Sequence, residues 1–169
     1  RAGDREDRSM SRISKENYYL DIAETVLERA TCLRRVYGAI IVKNDEIIST
    51  GYNGAPRGRK NCVDMGFCTR EALQIPRGER YELCRSVHAE ANAITKIARS
   101  GNNSDGATLY VTDSPCIECA KLIIQAGIRR VVYARSYRLT DGVDLLLKAG
   151  ISVEKVELEE LNDSTPAAH

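Results

Sequence analysis

Tryptophan is absent from this chain and phenylalanine occurs once, so tyrosine supplies eight of the nine aromatic side chains. That set is too thin for the successive stacking platforms on which proteins hold single-stranded nucleic acid. Excess charge is also missing. Twenty-five basic residues face 24 acidic ones, a net charge of +1. The total carries no basic footprint for nucleic acid, which leaves only a local patch open. No stretch reaches the roughly 18 apolar residues of a membrane-spanning helix, and no apolar signal segment lies near Arg1. Low complexity and internal repeats are lacking too. What is there is ordinary for a globular chain: 169 residues, 43% hydrophobic and 29% charged. Disordered and collagen-like chains are excluded. At about 150 residues per domain this is one domain, large enough to bury roughly two thirds of its unfolded surface.

The informative residues are six cysteines and two histidines, His88 and His169. An even cysteine count suggests disulfides in a short secreted chain. This chain is longer than such scaffolds, so cysteines serving a metal in a cytoplasmic protein are the better reading.

The hydrophobic pattern predicts alternating elements. Ser14 can cap a helix over 15–30, with Tyr19, Ala23, Val26 and Ala30, widened by Leu20 and Leu27, on one face. Short apolar runs at 38–42 and 46–50 around Lys43-Asn44-Asp45 predict a hairpin. Helices are expected over 88–99, 116–126 and from 141 to 149, and strands over 107–111, 129–134 and 151–156. Gly101, Gly127 and Gly150 stop the helices. Residues 1–14 read as a flexible N-terminal segment, 15–156 as the domain and 157–169 as an acidic tail. Within the domain, 51–87 is a long aperiodic loop. A loop of that length is functional or pinned by something other than a core. Strands alternating with helices after a hairpin indicate an α/β class with a mixed sheet.

The chemistry concentrates in two short motifs. Cys116 and Cys119 form a Cys-x-x-Cys at a predicted helix start, where free amides and the helix dipole favour thiolate. Alone, that pair is common, and serves equally as a redox couple or half a structural zinc site. His88 opens another predicted helix; alone, it reads as a structural histidine. Together the three make a ligand set with one tetrahedral position left open, as in catalytic zinc sites, where a water's pKa falls to about 7. Glu90, two residues from His88, is placed to take that water's proton. His-x-Glu followed by Pro-Cys-x-x-Cys is the signature of the zinc-dependent base deaminases.

On these residues the chain resembles the cytidine and deoxycytidylate deaminase superfamily. The similarity covers about 15–155 and includes Gly38-Ala39-Ile40-Ile41-Val42, Val87-His88-Ala89-Glu90-Ala91-Asn92-Ala93-Ile94, Leu109-Tyr110-Val111-Thr112 and Ser114-Pro115-Cys116-Ile117-Glu118-Cys119-Ala120-Lys121. Ser49-Thr50-Gly51-Tyr52-Asn53-Gly54 and Gln125-Ala126-Gly127-Ile128 bring it nearest the deoxycytidylate (dCMP) branch. The resemblance implies a three-layer α/β/α sandwich with a five-stranded mixed sheet. It implies deamination of dCMP to dUMP with release of ammonia, which supplies dUMP for thymidylate synthesis. His88, Cys116 and Cys119 would hold Zn2+. Glu90 would shuttle protons to ring atom N3 and to the leaving amine. Asn53 would meet the sugar and the Ala89 amide the base, with Ser114 and Tyr137 completing the substrate contacts. Members are typically homo-oligomers, often hexamers, and many are activated by dCTP and inhibited by dTTP.

Two questions stay open in the sequence. The phosphate could meet Arg57, Arg59 and Lys60 on the loop, or Arg135 and Arg138 at a strand end, where α/β folds commonly bind ligands; any one of these could equally be a solvated surface charge. Tyr137 is the best individual choice there. Cys32, Cys62, Cys68 and Cys84 could make a closed, all-cysteine structural zinc site. Some dCMP deaminases carry a second zinc, and Cys32 and Cys62 match its positions. Those relatives add histidine, which this chain lacks there, so Cys68 and Cys84 would substitute. The gap from Cys62 to Cys68 is wider than in zinc ribbons, and buried free thiols are the plainer alternative. Competing activities are a deaminase of dCTP, deoxycytidine, cytidine or tRNA adenosine, the last disfavoured by the balanced charge. A non-catalytic zinc module for protein partners is the competitor from another class, and it leaves Glu90 unexplained.

Overall fold

The computed structural model describes residues 12–158. The readings made for residues 1–11 and for the tail beyond 158 lie outside them. Helix α1 spans Lys15–Leu27, and the Ser14 hydroxyl caps it by accepting from the Asn17 amide at 3.2 Å. It ends three residues earlier than the apolar pattern predicts. The Thr31 amide donates to the Asn53 carbonyl at 3.1 Å, so the chain is drawn into the loop instead of continuing the helix.

Strands β1 (Gly38–Lys43) and β2 (Glu46–Tyr52) form the expected hairpin. Its two turn residues, Asn44 and Asp45, have φ of 53° and 60°. Asn and Asp tolerate that region, and such turns match the twist of paired strands. β3 (Thr108–Asp113), β4 (Arg130–Arg135) and β5 (Ser152–Lys155) complete one sheet in the order β2-β1-β3-β4-β5. β1 runs antiparallel to β2 and β3, whereas β3, β4 and β5 are parallel. The sheet is therefore mixed.

Alternate strand residues feed two separate cores. Ile40, Val42, Tyr110 and Val132 pack under Leu20 and Ala23 of α1. Ala39, Ile41, Leu109, Val111 and Val131 face the other way, against Ala93, Ile123 and Leu146. Those three belong to the helices Ala89–Ser100, Ile117–Gln125 and Asp141–Lys148. Covering both sheet faces explains why β1 reads as a continuous apolar run and not an alternating one. The result is a three-layer α/β/α sandwich.

The long loop is more ordered than its composition predicts. It holds two single-turn helices, α2 (Cys62–Met65) and α3 (Thr69–Ala72), and a 3-10 turn at Tyr81–Leu83. The helices over 89–100, 117–125 and 141–148 are accordingly α4, α5 and α6. Reciprocal backbone bonds between Gly54 and Val87, at 3.2 and 2.7 Å, close the loop at its base. The Asn61 side chain ties it to the end of α1, accepting from the Thr31 hydroxyl and the Ala55 amide, each at 3.0 Å.

Candidate active site

The site is assembled by two helix starts meeting at the ends of β2 and β3. His88 is the N-cap of α4 and Cys116 the N-cap of α5, and neither side chain caps its own helix. Both are thus left to point at a shared position. Cys119 follows one turn into α5 and is buried. The His88 Nδ1 lies 3.5 Å from the Cys116 sulfur and 3.4 Å from the Cys119 sulfur. The three ligand atoms all fall within 4.8 Å of one another, the single such group among the described residues.

Close backbone packing fixes these helix starts. β2 passes so near α4 that a Cβ on Gly51 would overlap the Ala89 carbonyl oxygen and stand 2.7 Å from the Ala93 nitrogen. α6 presses equally on the Pro115-Cys116 turn, where a Cβ on Gly142 would overlap the Pro115 oxygen and stand 2.8 Å from the Cys116 carbonyl carbon.

The electrostatics suit a cation. Cys116 has its thiol pKa lowered, chiefly through a hydrogen bond with Cys119 and then through His88. Cys119 is raised by the same pairing and by burial. His88 is raised by its partner Cys116. Two cysteine sulfurs, which bind zinc as thiolates, and an imidazole aimed at a common point are the donors that zinc takes, and they fit three corners of a tetrahedron. Glu90 is 6% exposed. Burial pushes its carboxyl pKa up, against a lowering by His88, and it lines the same cleft as His88 and Cys116.

Of the other sequence-predicted residues, Ser114 and Tyr137 line this cleft and Asn53 and Arg138 the adjoining cavity, whereas Arg57, Arg59, Lys60 and Arg135 line neither. Ser114 is buried, and its hydroxyl accepts from the Tyr137 amide at 2.6 Å. Ala89 is fully buried in the first turn of α4. Asn53 lines the adjoining cavity, but its amide also pins the chain before β1. It accepts from the Tyr37 amide and donates to the Arg35 carbonyl, both at 2.8 Å. Arg135 is engaged by Glu24 at 2.7 Å and Asp113 at 3.4 Å.

The adjoining cavity, which also has His88 and Tyr137 in its wall, takes its positive charge from Arg34, Arg35, Arg70, Arg77 and Arg138. Of these only Arg138 stands out in the sequence. Tyr37, Tyr81 and Asp113 line the cleft as well and carry no motif. Tyr37 and Asp113 sit just before β1 and at the end of β3, so proximity to strand ends is the one signal that points to them.

Cys32, Cys68 and Cys84 line this cavity, and Cys62 lies close enough to Cys32 and Cys68 for their charges to act on it. None of the six cysteines is in a disulfide. Burial raises Cys62 and Cys84, and each is raised further by Cys32. No three of these four sulfurs lie within 4.8 Å of one another.

Comparison with known proteins agrees with this geometry. Residues 13–135 match the family model for the cytidine and deoxycytidylate deaminase zinc-binding region. ComE operon protein 2 of Bacillus subtilis (strain 168) is 40% identical over 153 residues, 90% of this chain and 76% of the relative. The deoxycytidylate deaminase of Enterobacteria phage T4 is 36% identical, covering 88% of this chain and 93% of the relative. Among solved structures, the dCMP deaminase of cyanophage S-TIM5 in complex with dCMP and dUMP superimposes with a TM-score of 0.69 at 36% identity, over 86% of this chain and all of that one.

Proposed function

The chain belongs to the cytidine and deoxycytidylate deaminase family, and from that premise we infer what its residues do. The protein is a zinc-dependent enzyme that deaminates dCMP to dUMP. The observation that carries this reading is the convergence of His88, Cys116 and Cys119 beside a buried Glu90.

His88, Cys116 and Cys119 would hold the zinc, which when bound supplies the Lewis acidity that makes water a competent nucleophile near neutral pH. Glu90 does the proton work. Its carboxylate accepts the proton of the attacking water and returns it to ring atom N3. The water oxygen adds at C4, the C4–N bond breaks, and a second proton relayed by Glu90 lets the amine leave as ammonia. Water and dCMP thus become dUMP and ammonia. A buried carboxyl whose pKa is raised by burial suits this relay, because its neutral form can hold the proton between one transfer and the next. Ser114, Tyr137 and the Ala89 amide would border the base, and Asn53 the sugar. Arg35, Arg77 and Arg138 in the adjoining cavity would face the phosphate, a role supported by their shared wall with Tyr137.

Cys32, Cys62, Cys68 and Cys84 would hold a second, structural zinc. Supporting this are their number and the charge coupling of Cys32 with Cys62 and Cys84; the four sulfurs would draw together around the ion, since no three of them lie within 4.8 Å of one another. Homo-oligomerisation is supported by the exposed Leu122 and Leu147 on the outer faces of α5 and α6. Effector action of dCTP and dTTP, and a cytoplasmic location, rest on the family resemblance. Among the described residues no helix is long and apolar enough to cross a membrane.

The test is ammonia release from dCMP, deoxycytidine, cytidine and dCTP at equal concentration. Turnover of dCMP well above deoxycytidine is expected. Preference for deoxycytidine would remove the phosphate assignment, and no turnover of any of the four would sink the dCMP reading.

A further inference from the structure

Arg70 is a buried guanidinium, 6% exposed, in the single-turn helix α3. No carboxylate lies against it in an ion pair among the described residues. Its hydrogen bonds go instead to backbone carbonyls of one turn. Nε and an Nη donate to the Glu79 oxygen at 3.2 and 2.8 Å, and the same Nη donates to the Pro76 oxygen at 3.1 Å. The turn is shaped around it. Gly78 and Arg80 both take left-handed backbone, with φ of 81° and 52°. The Arg138 guanidinium lies where a side chain on Gly78 would have to go. A charge is costly to bury and is retained where several acceptors converge on it.

The residue that follows this turn is Tyr81, and it is held on three sides. The Arg70 guanidinium carbon sits 4.5 Å from its ring centroid, in cation–π range. Its ring meets the His88 imidazole edge-on, with centroids 5.5 Å apart at 84°. Its hydroxyl hydrogen-bonds to the Tyr137 hydroxyl. Tyr81 therefore forms part of the wall of both the cleft at Glu90 and the arginine-lined cavity.

We propose that Arg70 is a positioning residue for the deamination, holding the Pro76–Tyr81 turn so that Tyr81 walls the substrate site against His88 and Tyr137. This rests on the deaminase reading above. Tyr81 lines the site beside His88 and Tyr137 and brings no group that the proton transfers use, so its loss should remove binding shared by ground state and transition state. That raises KM and leaves kcat in place. Arg70 acts through Tyr81, so the two effects must overlap and not multiply.

The experiment is a double-mutant cycle on the zinc-loaded protein, with kcat and KM for dCMP, zinc content and Tm recorded for each variant. Tyr81→Ala should raise KM about tenfold, the scale of one lost aromatic contact, with kcat within about twofold. Arg70→Met should do nearly the same. The double variant should be no worse than Tyr81→Ala alone, and Arg70→Lys should recover part of the loss. KM effects that multiply would overturn the proposal, since Arg70 would then act independently of Tyr81. So would a fall in kcat or zinc content with KM unchanged, the mark of a purely structural role. If Arg70→Met does not fold, the same cycle with Arg70→Lys decides. Wild-type protein is assayed beside the variants. Its failure to turn over dCMP would refute the deaminase reading, an outcome distinct from any pattern among the variants.

Discussion

Glu90 has two properties that a structural carboxylate rarely combines. It is buried and its pKa is raised by that burial, yet it forms no ion pair among the described residues. A carboxyl kept only for stability would be better replaced by an apolar side chain of similar volume. The deaminase reading explains its retention, because proton transfer needs a group whose two protonation states are close in free energy. Glu90→Gln keeps the shape and removes the relay. Turnover of dCMP should fall by more than the ~10²–10⁴ typical of general acid–base help, since one group serves several transfers. Zinc content by elemental analysis and Tm should stay at wild-type levels or above. Wild-type turnover in this variant would sink the mechanism and favour a zinc module with no chemistry. Loss of zinc together with activity would mean that Glu90 supports the ligands rather than the proton.

Between elements, function depends on how closely α4 and β2 approach. The first turn of α4 carries His88, Ala89 and Glu90, and it rests directly on Gly51. Gly51→Ala therefore pushes the helix start away from the sheet. Overpacking of this kind costs about 1–3 kcal/mol, so Tm should drop by several degrees. Because His88 occupies the N-cap position of the displaced turn, zinc affinity should weaken in the same variant, read by competition with a chromophoric chelator. Unchanged Tm and affinity would mean that the contact relaxes freely and does not position the ligand. The sequence marks Gly51 only as part of a glycine-rich motif, whereas the contact explains why a side chain is excluded. The regular elements were legible for a similar reason: periodicity, the Ser14 cap and the stop glycines are local signals. α2 and α3 were not, because a four-residue helix shows no period. The end of α1 was not, because the bond that stops it comes from Asn53, 22 positions after Thr31.

Over the whole molecule, two kinds of order meet at the site. The sandwich is held by two apolar cores, one on each face of the sheet. The segment from Asn53 to Val87 has little core of its own and is held by polar ties and turns, among them the bonds of Asn61 and Arg70. This division decides what could be read from sequence. His88, Glu90, Cys116 and Cys119 stand at fixed spacings on regular elements, so their pattern survives as a motif. Arg70, Arg77 and Tyr81 reach the adjoining cavity from a single-turn helix and the turns after it, so nothing in their spacing foretells their meeting. The same division predicts how the protein responds to metal removal. A ligand that binds only the folded form stabilises it, and stripping the ligand exposes whatever it alone was holding. With the second zinc proposed here, the protein as isolated should contain two zinc ions per chain, and Cys62→Ser should contain one. Chelation should abolish turnover. It should also open the 53–87 segment to trypsin, which cuts after arginines such as Arg70, Arg77 and Arg80, while far-ultraviolet circular dichroism shows the sheet persisting. Adding zinc back should restore both protection and activity. One zinc per chain, with the segment equally resistant before and after chelation, would return the four cysteines to the role of buried thiols. The polar ties around Asn61 and Arg70 would then be what orders the loop.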